Sequence, residues 1–199
     1  MTNVVAFDIE TKNLSSEIGG WGNTHMFLVS TVATWDGQIG KIYVEKDLTD
    51  KIVAKSNTQV LPMRQLKYDL DDIYKSGQKL LGHNIAAFDL PVLRDSLDIY
   101  CVRKFLNDKQ YIDTSRELTK QYGERFRLQN LVDNTLGETK SLESVMAPAL
   151  WKQGEYQEVV DYCLKDCKLV YDLYKHGQEN MLKAFSIEKE EFVELKMEW

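Results

Sequence analysis

Val4-Val5-Ala6-Phe7-Asp8-Ile9-Glu10-Thr11 is the stretch on which the reading of this chain turns. Val4 to Phe7 is a short apolar run, β-branched at its start, with the composition of a buried central strand. Two carboxylates separated by one residue close it. Side chains at i and i+2 of a strand point to the same face, so Asp8 and Glu10 stand side by side. Two negative charges at the edge of an apolar core repel each other and cost desolvation. A pair of hard oxygen ligands in that position suits a divalent cation such as Mg²⁺ or Mn²⁺. The plainer reading is a strand end whose two acids enter water. Asp-x-Glu alone does not choose between them, and a metal site needs further carboxylates elsewhere in the chain.

The chain has 199 residues, which fits one domain over 1–199 with room for a buried core. With 43% hydrophobic and 28% charged residues it has the balance of a soluble globular protein rather than a disordered one. No apolar run reaches the length of a membrane span, and the N-terminus lacks a charged-then-apolar signal segment, so no membrane is expected as a partner. The three cysteines, Cys101, Cys163 and Cys167, are unsuited to a disulfide framework and point to a reducing, cytoplasmic setting. Cys163 and Cys167 lie about one helical turn apart. They have no third or fourth soft ligand nearby, so they read as reduced thiols. A net charge of −6 speaks against a nonspecific nucleic-acid coat protein. It leaves open an enzyme that meets nucleic acid at a metal site, because acidic ligands lower the net charge and bound cations restore it locally.

Beyond the first strand, residues 12–24 read as loop, with a Gly19-Gly20-Trp21-Gly22-Asn23 tip. Met26 to Trp35 and Lys41 to Val44 read as a second and third strand joined by a hairpin at Asp36-Gly37, which makes a three-stranded meander. Residues 46–63 read as a short helix and a connector. Leu66, Leu70, Ile73 and Tyr74 recur at helical spacing up to a stop at Gly77. Lys79 to Asn84 is a fourth strand, and Leu90, Leu93 and Leu97 form a helical face with Pro91 in the first turn. Tyr111-Ile112-Asp113 is a fifth strand, and Thr114 or Ser115 can cap the next helix. A polar, basic connection runs from Lys120 to Arg127. Leu128 to Leu136 is a helix stopped by Gly137, and Leu142 to Trp151 is helical with a break at Pro148. The longest helix runs from Glu155 to about His176, with Val159, Val160, Cys163, Cys167, Val170 and Leu173 on its apolar face. In the tail, Val193, Leu195, Met197 and Trp199 alternate with charged residues, a half-buried strand pattern, and 184–199 can close as a terminal hairpin. Three antiparallel strands followed by strands alternating with helices predict an α/β fold, a mixed sheet covered by helices.

Two more acids complete the pattern. Asp89 comes after a strand and opens a helix, in Asn84-Ile85-Ala86-Ala87-Phe88-Asp89. Asp166 lies in the long helix one turn after Tyr162, so the phenol and the carboxylate share a face. Asp8-x-Glu10-Thr11, Asn84-x3-Phe88-Asp89 and Tyr162-x3-Asp166 resemble, in order, the three motifs of the DEDD exonuclease superfamily, which has an RNase H-like fold and removes nucleotides from 3′ ends. Tyrosine four residues before the last Asp, with Asp161 rather than His before it, resembles the tyrosine subgroup. Gly82-His83-Asn84 leading into Phe88-Asp89-Leu90, the Leu136-Gly137-Glu138-x-Lys140 segment and the alternating tail are similar to the proofreading domain of family B DNA polymerases and its polymerase-free relatives. The resemblance runs from residue 4 at least to the end of the long helix.

The implied chemistry has a physical logic. A phosphodiester repels an incoming hydroxide, and the leaving 3′-oxygen must take up charge. Two cations about 3.5–4 Å apart meet both needs, and holding them takes carboxylates from separate elements. By resemblance, Asp8 bridges two Mg²⁺ or Mn²⁺ ions, Glu10 and Asp166 complete the site of the one carrying the attacking water, and Asp89 serves the other. Tyr162, with a reference pKa of about 10, is a poor general base and orients that water instead. Thr11 or its backbone meets the terminal nucleotide or caps the strand. Asn84 orients Asp89, contacts substrate or forms an Asx turn. Phe88 is core or a platform for base stacking. His83 does not match the histidine subgroup's position and reads as a structural hydrogen-bonding residue. Lys120, Arg125, Arg127 and Lys140 contact the phosphate backbone or form a solvated basic face. The activity implied is a metal-dependent 3′→5′ exonuclease acting on single-stranded nucleic acid, DNA favoured over RNA. The alternative is a 3′-end-binding or scaffold module on the same fold that does not hydrolyse.

Overall fold

Phe7 and Ile9 point to one side of the first strand, and Val4, Ala6, Asp8 and Glu10 to the other; that alternation divides the molecule. A computed structural model describes residues 3–138 and 144–199. Strand β1 (Val4–Thr11) forms the centre of a six-stranded sheet with β2 (Val29–Trp35), β3 (Gly40–Val44), β4 (Thr58–Pro62), β5 (Lys79–Gly82) and β6 (Tyr111–Asp113), in the order β4-β3-β2-β1-β5-β6. β1 to β3 are antiparallel, and β5 and β6 continue parallel to β1. On one face, Phe7 and Ile9 join a core with α1 (Leu66–Lys75), α2 (Asp89–Ser96) and α3 (Tyr100–Asp108). On the other, Val4 and Ala6 join α4 (Thr114–Tyr122), α5 (Leu128–Thr135), α6 (Ala147–Gln153) and the long α7 (Tyr156–Glu179). This is the mixed α/β sheet that the chain order predicts, with the RNase H-like arrangement that the resemblance implies.

Several local readings need correction. The meander carries a further strand, because β4 pairs parallel with β3 where a helix and connector are expected. β4 is a half-exposed edge strand ending in proline, so it lacks the buried apolar run that makes a strand legible. In place of the short helix stands a 3₁₀ turn at Lys46–Leu48. β2 starts at Val29, since Thr24–Met26 forms a 3₁₀ turn. The helix α3 is unanticipated, although Cys101, Val102 and Phe105 bury one of its faces. α4 is capped by Asp113, whose carboxylate accepts from the Arg116 amide, and not by Thr114 or Ser115. Pro148 starts α6 instead of breaking a helix, because a proline in the first turn forfeits no helical hydrogen bond. The expected start of that helix at Leu142, like Lys140, lies outside the described residues. The tail pairs β7 (Leu182–Ser186) with β8 (Glu191–Leu195) in a separate two-stranded sheet. α5 holds it: Asn130 and Thr135 each exchange side-chain hydrogen bonds with the backbone of β7, at Phe185 and Lys183. No helix among the described residues is long and apolar enough to cross a membrane.

Two close approaches set the spacing of the elements around β1. α7 lies directly on β1 and β2, where Ala6 and Ala33 keep the surface low. Its Cys163 thiol donates to the Asp8 carbonyl at 3.4 Å and its Cys167 thiol to the Ala33 carbonyl at 3.3 Å. At the end of β5, Gly82 sits so close to β1 that a Cβ there would lie 2.9 Å from the Phe7 carbonyl oxygen and 2.1 Å from Ile85 Cγ2. Gly82→Ala is therefore expected to cost ~2 kcal/mol of stability, as overpacking of a tight core does. Urea unfolding should show the loss, and an unchanged midpoint would mean that β5 and β1 are not locked at this spacing.

Candidate active site

The site grows out of a mismatch in strand length. β5 pairs with β1 only as far as Ala6↔Leu81, while β1 runs on to Thr11. Past that point the Ile9 amide faces the gap, and the Asp89 carboxylate fills it, accepting from Ile9 N at 3.2 Å. Asp89 reaches this place through a tight turn. Asn84 has a left-handed φ of +72°, a conformation that asparagine tolerates better than most side chains. Its carbonyl accepts from the amides of Ala87 and Phe88. The turn is tied down by Asp113 at the end of β6, whose carboxylate accepts from Asn84 N at 2.8 Å, Ala86 N at 3.0 Å and Arg116 N at 3.1 Å. One buried carboxylate thus fixes the turn that delivers Asp89 and the start of α4.

Asp8 and Glu10 project from β1 toward α7. There Tyr162 and Asp166 face them one helical turn apart, and the phenol hydrogen-bonds the Asp166 carboxylate. Glu10, Asp89 and Asp166 are buried, as is Tyr162 at 2% exposure. Burial, and then the charges of Asp166, Glu10 and Asp8, push the phenol far above its ordinary range, so Tyr162 stays protonated and keeps its O–H to donate. The Asp89 carboxyl is pushed up to about 7, first by desolvation and then by Asp113 and Asp166, against the opposing pull of its hydrogen bonds to amides. Behind them the buried Cys167 thiol is raised by burial and by Asp8, Asp166 and Asp89 together. The structure therefore brings Asp8, Glu10, Asp89, Tyr162 and Asp166 into one electrostatic neighbourhood at the C-terminal ends of the parallel strands.

The secondary candidates are placed differently. The Thr11 hydroxyl donates to the Asn13 carbonyl at 2.8 Å, where the β1 register shifts, so it shapes the strand end. Phe88 packs edge-on against Phe27 and Trp21, at centroid distances of 5.1 and 5.2 Å, which makes it part of an aromatic cluster at the rim of the core. His83 lies 2.9 Å from Thr114 Oγ1 and 3.0 Å from the Phe126 carbonyl. That carbonyl can only accept, so Nε2 carries a proton, and the ring ties β5 to the segment after α4. Lys120 is exposed near Glu117, and Arg125 and Arg127 are exposed. Sequence reasoning misses Asp113. Its signal is an aspartate at the end of a strand directly before a helix, in the N-cap position that aspartate favours.

Among the described residues, no three acids, histidines or cysteines stand close enough to form a metal-holding group as they are. The donor set fits a hard cation all the same. It consists of carboxylate oxygens from β1, α2 and α7; burial first, and then the charges of neighbouring acids, push Asp89 and Tyr162 up, and a divalent cation would relieve the second of these.

The Asp89 shift has a pH consequence. Its folded pKa of about 7 lies above the ordinary 3.8, so the folded state holds the proton more tightly than the unfolded chain. The stability this confers is complete below about pH 4 and is lost as pH rises through about 7. In chelator, the wild type should lose stability relative to Asp89→Asn across that window, and parallel pH profiles of the two would rule out a buried, charge-pressed Asp89.

Residues 5–178 match the RNase H superfamily. No curated protein matches the chain. The match spans most of the length and covers the central sheet, the turn to Asp89 and α7 through Asp166. The mixed six-stranded sheet agrees with it, and the chain belongs to the RNase H superfamily.

Proposed function

We propose that this protein is a 3′→5′ exonuclease that hydrolyses the terminal phosphodiester bond of single-stranded nucleic acid, DNA in preference to RNA, and releases nucleoside monophosphates. The observation that supports the proposal is that Asp8 and Glu10 from β1, Asp89 from α2 and Asp166 from α7 lie within electrostatic reach of shared neighbours, with Tyr162 hydrogen-bonded to Asp166. Nucleases of the superfamily generally use divalent metals, which agrees with that donor set.

Asp8, Glu10, Asp89 and Asp166 would hold two divalent cations, Mg²⁺ or Mn²⁺. Such ions, when bound, offset the phosphate's charge and that of the departing 3′-oxygen. The protein's own contribution is position. Asp89 is fixed by the Ile9 amide and by the turn that Asp113 braces. Asp166 is oriented by the Tyr162 hydroxyl. Tyr162 cannot accept a proton at neutral pH, so it orients groups through its O–H and does not act as a base. Thr11 spends its hydroxyl on Asn13, which leaves the backbone of the strand end to meet a terminal nucleotide. Asn84 contributes the shape of the turn, and Phe88 offers an aromatic edge beside Asp89.

Two measurements test the reading. On 5′-labelled single-stranded DNA with Mn²⁺, a denaturing gel should show a ladder shortening from the 3′ end. Asp8→Ala should slow it by at least ~10³-fold, and Tyr162→Phe by ~10² or less, the difference between losing a charge-holding ligand and losing an orienting hydrogen bond. Binding of 3′ ends without cleavage would favour the non-hydrolytic module instead. In a thermal melt, Mn²⁺ at ~100 times its dissociation constant adds about 2.7 kcal/mol, a rise on the order of 5–10 °C for a chain of this size. Asp8→Ala should abolish most of that rise; a full rise in the variant would place the cation elsewhere.

A further inference from the structure

A cleft of about 370 Å³ opens against the turn that delivers Asp89. Asn84, Ala86 and Ala87 of the turn form one wall, and Ser115 and Arg116 of α4, with Arg125 from the segment after it, line the rest. The volume falls in the range of ligand pockets, and Ala87 precedes Asp89 by only two residues, so one wall of the cleft belongs to the turn that ends at Asp89. Its chemistry is opposite to that of the site. In a chain with a net charge of −6, two guanidinium groups are exposed around one cavity. The Arg116 guanidinium donates to the Tyr111 hydroxyl at 3.1 Å, and among the described residues neither guanidinium is bonded to a carboxylate. The acid that also lines the cleft, Asp113, has its carboxylate directed to three backbone amides.

The occupant that fits is an extended polyanion. Planar guanidinium groups match phosphate oxygens in pairs, and the small side chains of Ala86 and Ala87 leave room for a sugar to pass. We infer that this cleft carries the sugar–phosphate backbone of the substrate strand on the 5′ side of the scissile bond, with Arg116 and Arg125 as its phosphate-binding residues. The inference rests on the exonuclease reading for what lies beyond Asp89. The cleft would give the enzyme its grip on a polymer, while the carboxylates act on its last linkage.

The test separates grip from chemistry. Binding of a fluorescein-labelled oligothymidylate is measured by anisotropy in EDTA at several KCl concentrations, for the wild type, Arg116→Ala/Arg125→Ala and Arg116→Lys/Arg125→Lys. Loss of two phosphate contacts should weaken binding about tenfold or more and make the slope of log K against log salt shallower by ~1.4, at about 0.7 per single-strand phosphate. The lysine pair should keep the slope. Equal affinities and slopes for wild type and alanine pair overturn the inference. With Mn²⁺, the alanine pair should hydrolyse the p-nitrophenyl ester of thymidine 5′-monophosphate, a minimal phosphodiester too short for the cleft, at the wild-type rate while losing kcat/KM on the oligomer. A parallel loss on both substrates overturns the inference too, since the arginines would then be acting on the carboxylate site itself. If the wild type cleaves neither substrate, the exonuclease reading fails, and the EDTA arm still decides whether the cleft binds the strand.

Discussion

Desolvation and repulsion among closely placed carboxylates, three of them buried, is the constraint that the rest of this structure serves. Asp8, Glu10, Asp89 and Asp166 are brought close enough to raise the pKa of their neighbours, and nothing in their own chemistry favours that arrangement. Packing elsewhere holds them. α7 is seated on β1 and β2 over Ala6 and Ala33, with two thiols bonded to strand carbonyls, so Asp166 and Tyr162 cannot drift from Asp8 without unseating the longest helix. Gly82 lets β5 approach β1 closely, and that approach sets where the turn to Asp89 begins. The apolar core on both faces of the sheet supplies the stability that the acids subtract.

Asp113 has a separate part. It contributes no group to the carboxylate cluster's own elements, yet it accepts from three amides and binds the turn before Asp89 to the head of α4. The cluster thereby depends on β6, a strand of three residues at the far edge of the sheet. His83 adds a second tie between β5 and the segment after α4. The arrangement is that of a site whose chemical groups sit on β1, α2 and α7 and whose alignment is governed one strand further out.

The central features are legible in the sequence because they obey strong periodicities. Val4 to Glu10 shows its buried run and its paired acids, and the i, i+4 spacing of Tyr162 and Asp166 requires only that residues 155–176 be helical. The meander and the mixed character of the sheet are implied by the hairpin signal at Asp36-Gly37 and by strands alternating with helices. The elements that escape have local and weak signals. β4 is short, half exposed and ends in Pro62, and its parallel pairing depends on β3, distant information that no pattern within residues 58–62 carries. α3 comes after Asp98 in a left-handed conformation that hides its start. Asp113 reads as the end of a strand although its carboxylate caps the helix after it, because a cap and a strand end are the same residue here. The convergence of the acids is likewise beyond periodicity, since it is set by the overrun of β1 past β5.

The order in which these parts leave the ribosome gives the thiol contact between Cys163 and the Asp8 carbonyl another meaning. The two residues are 155 positions apart in the chain. Domains form as synthesis proceeds from the N-terminus, and contacts of long sequence separation close last. Asp8 and Glu10 therefore emerge first and wait through the making of the whole sheet before α7 arrives to complete their surroundings. A nascent chain holding every strand of the central sheet still lacks Tyr162 and Asp166, so the carboxylate centre comes into being only with the final fifth of the polypeptide.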